Sequence, residues 1–331
     1  MSSKDIDQNI PSPLQEVRPF WAKGEGASLW IKRDDLIDPY ISGNKWRKLK
    51  GWIQNNTDRT KVWASVGGGY SNHLLALAYW GHLNSVRTRG YLTLNPEERS
   101  TYSTWLCHQW GMELIPVGRQ NSPKTASEDE ILIPMGGEGV AGLLGTSEMV
   151  SELPFAPDYI MTSIGTATTL SGMAIGVANA GWRSTRILGV SALKGASYLK
   201  STVENFLNSQ LSTELAKSTF EQIDWWNDDH LGGFGKITPE LIRFINQFYS
   251  ETGIPLDPIY TGKSMWALSK KWKEIPRDAT LVFWHTGGLF GGMGVQKALK
   301  SQSLDYLKKL FSHSFPDTFP EYQHLGESPK R

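Results

Sequence analysis

Along the chain, short apolar or β-branched runs alternate with longer segments whose apolar residues recur at helical spacing. KVWASV precedes SNHLLALAYWG, VRTRGYLTL precedes EERSTYSTWLCHQWG, and ELIPV follows. DYIMTSI then precedes TTLSGMAIGVANAG, RILGVSAL precedes a helix expected from about Ser201, and ATLVFWHT precedes GLFGGMGVQKALKS. Strand, loop and helix repeated in this order predict parallel sheets covered by helices. Upstream, Trp46, Leu49, Trp52 and Ile53 in YISGNKWRKLKGWI predict another helix, which Asn44 or Ser42 can cap. The polar stretch from Asn121 to Glu130 reads as a surface connection, and the chain after about Pro316 as a loosely held tail.

Glycine-rich turns follow several strands: Gly67 to Asn72 (GGGYSN), Gly165 to Thr169 (GTATT) and His285 to Gly288 (HTGG). In open parallel sheets ligands bind beyond the carboxyl ends of the strands, so these turns point to one shared site.

At 331 residues the chain suits two domains, or one large α/β unit with a sub-domain. A net charge of +1 gives no bulk attraction to nucleic acid or an anionic membrane, and the partners expected are small molecules. No apolar run reaches the roughly 20 residues that span a bilayer, and the N-terminus lacks a signal-type apolar core, so a cytoplasmic protein is expected. Its single cysteine, Cys107, rules out an intrachain disulfide and reads as a small buried hydrophobe. The tryptophans follow no fixed period, which argues against a propeller or solenoid.

The candidate chemistry begins at Lys45, in the first turn of its helix. The positive end of a helix dipole disfavours an ammonium there, so the pKa should fall, and a neutral amine can attack an aldehyde to form a Schiff base. A solvent-exposed surface lysine is the ordinary alternative. In TSIGTATTLSG, successive backbone N–H groups and hydroxyls at a helix start can cradle a phosphate, although small residues there also serve close helix–sheet packing. GKS at Gly262 to Ser264 is not a Walker A loop, because Asp257 stands where its first glycine is required. No G-x-S-x-G surrounds Ser71, and no histidine spacing suggests a metal. A neutral lysine, a phosphate cradle and a parallel α/β scaffold together suit a phosphorylated aldehyde, of which pyridoxal 5′-phosphate is the obvious one.

Seven ordered blocks extend this reading: KRDDL from Lys32, GNKWRKL from Gly43, SNH from Ser71, IPMGGEG from Ile133, GTATTLSG from Gly165, LDPIYTGKSM from Leu256, and HTGG. They resemble, over nearly the whole chain, the 1-aminocyclopropane-1-carboxylate deaminase and D-cysteine desulfhydrase family. The resemblance implies an α/β protein of the tryptophan-synthase-β-like fold (fold type II of pyridoxal phosphate enzymes), with two three-layer domains and mostly parallel sheets. Residues 1–47 and 158–331 would form the large cofactor-binding domain and 48–157 a small inserted one. Lys45 would hold the cofactor as a Schiff base and move the substrate proton, while Lys48 would pair with the phosphate. Asn72 would bond the ring hydroxyl, the loop of Gly165, Thr166, Ala167, Thr168 and Thr169 would hold the phosphate, and Tyr260 and Thr261 would line the ring. The substrate would meet Tyr70, Ser71, Asn72, His73, Phe234, Thr286 and Gly287, with Ser71 and Tyr260 counted as catalytic beside Lys45. A homodimer is implied, and no metal.

Ring-opening deaminases of that family typically carry Glu and Leu where this chain has Thr261 and Thr286, as desulfhydrase-like members do. A threonine hydroxyl can donate to a neutral pyridine nitrogen but cannot keep it protonated, which favours β-elimination. Tyr70 stands where glutamine is common and Phe234 where tyrosine is usual, which removes a possible acid, base or nucleophile. The sequence therefore predicts a pyridoxal phosphate-dependent lyase or deaminase acting on a small amino acid, with D-cysteine-type β-elimination to a 2-keto acid and ammonia. The alternatives are 1-aminocyclopropane-1-carboxylate deamination and a non-catalytic cofactor- or amino-acid-binding protein.

Overall fold

In a computed structural model, the structure describes residues 6–295 apart from 25, 42, 94–100 and 196. Among these residues ten strands fall into two sheets. One contains β3 (Val62–Gly67), β4 (Thr88–Leu92), β5 (Glu113–Pro116) and β6 (Glu130–Ile133), ordered β5-β4-β3-β6 and parallel throughout. The other contains β1 (Leu14–Val17), β2 (Ser28–Arg33), β7 (Tyr159–Ile164), β8 (Arg186–Ser191), β9 (Ile223–Trp226) and β10 (Thr280–His285). Its order is β1-β2-β10-β7-β8-β9, and β1 alone pairs antiparallel. Every residue of β3 is buried, which is the pattern of a parallel strand covered on both faces.

The helices are α1 (Asn44–Asn55), α2 (Asn72–Asn84), α3 (Tyr102–Gln109), α4 (Val140–Ser147), α5 (Thr168–Asn179), α6 (Tyr198–Gln210), α7 (Thr213–Glu221), α8 (Pro239–Thr252) and α9 (Thr261–Lys271). Trp46 and Leu49 carry α1 into the core of the four-stranded sheet, against Trp63, Leu74, Leu75 and Trp80. On the six-stranded sheet, Leu170, Met173, Ile187 and Val282 pack in one core, and Leu29, Phe244, Phe248 and Met265 in another. The opposite side of α1 lies so close to α4 that a Cβ on Gly51 would overlap the Ala141 carbonyl, and one on Gly145 the Arg47 carbonyl. Close backbone approach fixes how the lysine-bearing helix sits between the sheets.

A buried ion cluster anchors α1 further. Arg47 donates to Asp34 at 2.6 and 2.7 Å and to Glu152 at 2.5 and 3.1 Å, while Lys32 stands 2.8 Å from Glu152. Burial works against the Asp34 charge, but Arg47 beside it prevails and holds the carboxyl below its ordinary pKa. Breaking such a cluster from one side typically costs about 3–5 kcal/mol, because a buried charge is left alone.

The alternating strands and helices read from the sequence are present, and Cys107 is buried. Helix α6 begins at Tyr198, three residues earlier than the expected Ser201. The 121–129 segment is mostly exposed, but Glu130 opens β6 and pairs with Arg89. The expected tail after Pro316 and the helix beyond residue 295 lie outside the described residues. Helix α1 runs unbroken through positions 47 and 48, where the sequence reading divides two domains. No helix of the described residues is long and apolar enough to cross a membrane, and no group of three or more His, Cys, Asp and Glu among them could hold a metal ion.

Candidate active site

The turn after β10 sets the entry of α1. His285 donates from Nε2 to the Pro255 carbonyl at 2.6 Å and accepts at Nδ1 from the Gly287 amide at 3.1 Å. The turn so held offers two carbonyls: Thr286 accepts from the Asn44 amide at 3.2 Å, and Gly288 from the Asn72 side chain at 3.2 Å. A Cβ on Gly43 would overlap the Thr286 carbonyl, and its φ of 57° with ψ of −129° suits glycine alone.

This geometry corrects the expected cap of α1. The N-cap is Gly43, without a side-chain cap, and Asn44 instead donates to Thr169 Oγ1 at 2.9 Å. Ser42 lies outside the described residues. The Thr286 carbonyl takes the first helical N–H, which frees Asn44 to tie α1 to the 165–169 loop.

Helix α1 then presents Lys45 and Lys48 on one side. Lys48 is buried, with Nζ 3.3 Å from the Gly136 carbonyl and 3.4 Å from Thr166 Oγ1. Thr166 and Thr168 hydroxyls stand 3.2 Å apart at the start of α5, and Ala167 between them is left-handed at φ 64°. A left-handed residue at a helix start is a backbone turn that anion-binding loops use. Gly165 leaves room for Tyr260, whose ring atoms would lie 3.3 Å from a Cβ there, and Phe234 stands with its ring centroid 5.9 Å from that of Tyr260.

From the other sheet, the turn after β3 brings Ser71, Asn72 and His73. Ser71 is the N-cap of α2 and accepts from the Leu74 amide at 3.2 Å, so it precedes the helix that carries His73. His73 is buried, and neither ring nitrogen has a hydrogen-bond partner among the described residues. Tyr70, in the same turn, is 48 % exposed.

The electrostatics are those of a site short of negative charge. Burial pushes the Lys45 amine down to about 8, in the same direction as the helix dipole. Lys48 is lowered well below the usual lysine range by burial and by Lys45, and His73 is held neutral by burial, Lys45 and Lys48. Glu138, the carboxylate that faces Lys48, is itself raised by burial. A phosphate dianion would supply the missing charge. Lys48, the Thr166 and Thr168 hydroxyls and the amides before α5 could hold it, and Lys45 nearby could meet an aldehyde.

Thr261 departs from its expected part. Its hydroxyl accepts from the Asp257 amide at 2.9 Å and stands 2.6 Å from Asp257 Oδ2, so its single proton goes to the carboxylate and none remains for a ring nitrogen. Asp257 also accepts from the Ile259, Tyr260 and Thr261 amides, each at 2.8 Å, and so caps α9.

The structure thus gathers Lys45, Lys48, Asn72, His73, the 165–169 loop, Tyr260 and the 286–287 turn, with Phe234 joined through Tyr260. Sequence reasoning missed Gly136, Gly137 and Glu138, although a glycine pair after an apolar run, in IPMGGEG, carried the same signal as the other turns. It also missed Asn44 as a tie to Thr169 and Asp257 as the owner of the Thr261 proton.

Comparison with known proteins agrees with this chemistry. The chain is 29 % identical over 312 residues to a Pyrococcus furiosus protein provisionally named a 1-aminocyclopropane-1-carboxylate deaminase, covering 85 % of this chain and 90 % of that one. It is 25 % identical over 316 residues to the mitochondrial bifunctional D-cysteine desulfhydrase/1-aminocyclopropane-1-carboxylate deaminase of Arabidopsis thaliana, covering 86 % and 77 %. The crystal structure of an ACC deaminase homologue shares the fold at a TM-score of 0.69 and 24 % identity, covering 91 % of this chain and all of the other. The family model described as pyridoxal-phosphate dependent enzyme matches residues 7–287. With a cradle for a phosphate and a lysine whose burial favours the neutral amine, the chain belongs to the family of pyridoxal-phosphate dependent enzymes.

Proposed function

We propose that this protein is a lyase that removes a β-substituent from a small amino acid of the D-cysteine type, giving a 2-keto acid and ammonia. The observation that carries the reading is the meeting of α1 with the Gly165–Thr169 loop: Lys48, one turn after Lys45, reaches Thr166, Asn44 reaches Thr169, and Tyr260 lies against Gly165. Pyridoxal phosphate, when bound, supplies the electron sink for carbanion chemistry. Lys45 would hold its aldehyde end, and Lys45 Nζ is the group placed to take the substrate's Cα proton. Lys48, Thr166 and Thr168 hold the phosphate, and Asn72 orients the ring. Ser71, whose oxygen already accepts from Leu74, keeps its own proton free to donate to a substrate carboxylate.

Thr261 in place of a glutamate supports elimination over ring opening. With its proton turned to Asp257, it offers the ring nitrogen neither charge nor donor, so a long-lived carbanion is poorly stabilised. The two sheets are consistent with a large unit from residues 1–47 and 158–331 and a small one from 48–157. A cytoplasmic homodimer completes the proposal.

The test is keto-acid release by the cofactor-loaded protein from D-cysteine, L-cysteine and 1-aminocyclopropane-1-carboxylate in parallel. Release from D-cysteine alone is the expected result; release from the cyclopropane substrate alone would replace elimination with ring opening. A visible band that shifts with amino acids but yields no keto acid would favour a binding protein.

A further inference from the structure

Lys263 is fully buried on α9, yet among the described residues it forms no ion pair within 4 Å. Its Nζ donates to two backbone carbonyls, His230 at 2.9 Å and Gly233 at 2.7 Å. A lysine is rarely kept in so dry a place without a task, because desolvating an ammonium is costly. Burial lowers its pKa, partly opposed by the charge of Asp257.

Beyond Leu231 and Ile237, which pack on the core, and a bond from the Gly232 amide to His230 Nδ1 at 3.1 Å, the segment it holds has few ties. Leu231, Gly232, Gly233 and Gly235 all have φ between 51° and 105°, and the segment belongs to no helix or strand. Its own hydrogen bonds are short-range: the Gly233 amide to the His230 carbonyl at 3.1 Å, and the Lys236 amide to the Gly233 carbonyl at 3.2 Å. Both carbonyls are those that Lys263 also grips. A second tie to α9, Lys271 to Asp229 at 2.7 Å, fixes the start of the segment. Phe234, inside the clamped turn, is 59 % exposed and faces Tyr260, whose ring lies against Gly165.

We infer that Lys263 is a specificity-determining positioning residue: by fastening the 230–233 carbonyls to α9, it fixes the Phe234 ring beside Tyr260 at the substrate side of the site. This rests on the proposed reading of Tyr260 as a wall of that site. Phe234 has no hydroxyl to anchor it, so its place depends on the backbone clamp. The segment selects substrates by apolar contact, and Lys263 sets where that contact is made.

The test uses the cofactor-loaded Lys263→Met, Lys263→Arg and Phe234→Ala variants and the Lys263→Met/Phe234→Ala double variant. Chymotrypsin cleavage after Phe234, followed by mass spectrometry, reads the clamp without reference to any substrate. Lys263→Met is expected to be cut at least tenfold faster than wild type, with Lys263→Arg restoring slow cleavage. With D-cysteine, Lys263→Met and Phe234→Ala should each raise KM at least fivefold with kcat within twofold, and the double variant should be no worse than either. Cleavage of Lys263→Met at the wild-type rate, or effects that multiply in the double variant, would overturn the inference. If Lys263→Met does not fold, Lys263→Gln takes its place under the same criteria, and cleavage of that variant after Phe234 at the wild-type rate would overturn the inference. Failure of wild type to turn over D-cysteine would strike the substrate reading, while cleavage at Phe234 would still judge the clamp.

Discussion

Lys48 Nζ stands 3.4 Å from Thr166 Oγ1, joining the helix that carries Lys45 to the loop that opens α5. The buried amine has weak partners at present, 3.3 Å from one carbonyl and 3.4 Å from one hydroxyl, and gains a strong one when a phosphate enters. Hydrogen bonds to charged groups contribute about 1.5–3 kcal/mol, so Lys48→Ala should weaken pyridoxal phosphate binding about ten- to a hundredfold. Titration of the visible band of the lysine-bound cofactor measures this; unchanged affinity would remove Lys48 from the phosphate site.

Gly43 has no allowed replacement at its φ of 57° against the Thr286 carbonyl. Gly43→Ala combines backbone strain with overpacking and should destabilise the fold by about 2–5 kcal/mol. Urea denaturation of the cofactor-free protein gives the number, and a wild-type midpoint would mean that the turn after β10 yields freely.

Thr261→Val separates two accounts of the same hydroxyl. It removes the donor to Asp257 and should cost about 1–3 kcal/mol of stability. Because that proton does not reach the ring nitrogen, the absorption maximum of the bound cofactor should stay where it is in wild type. A clear shift of the maximum at normal loading would show that the hydroxyl turns to the ring.

Burial sets the pH dependence of cofactor attachment. Burial pushes the Lys45 amine down to about 8, below an ordinary lysine, and only its neutral form attacks an aldehyde. Below that pH the amine is protonated and attachment slows; above it the amine is free. The rate of reconstitution of cofactor-free protein should therefore climb through pH 8 and level off by about pH 9, whereas an unperturbed lysine near 10.4 would keep it climbing.

Much of this was written locally. The apolar run of β3, the helical spacing of Trp46 and Leu49, and the glycine turns after β3, β7 and β10 were all visible, because each follows from neighbours in sequence. Strand β2 was not, since Lys32 and Arg33 interrupt its apolar pattern; Arg33 pairs with Asp35 two residues on, but Glu152, the partner of Lys32, is brought near only by the fold. The lowered pKa of Lys45 is readable in the sequence from the helix dipole, whereas the part due to burial needs the fold. The Thr261 proton could not be assigned either, because the sequence shows that a hydroxyl is present and not which acceptor is nearer. Asp257 lies only four residues away, yet its hold on that hydroxyl needs the turn that precedes α9.

The central claim is that Lys45 is the lysine that binds the cofactor, and borohydride reduction followed by peptide mapping tests it most directly. Reduction of the cofactor-loaded protein should leave one pyridoxyl phosphate group, on the peptide containing Lys45 and on Nζ of that residue. A label on Lys48 or Lys263, or none at saturating cofactor, would contradict the account.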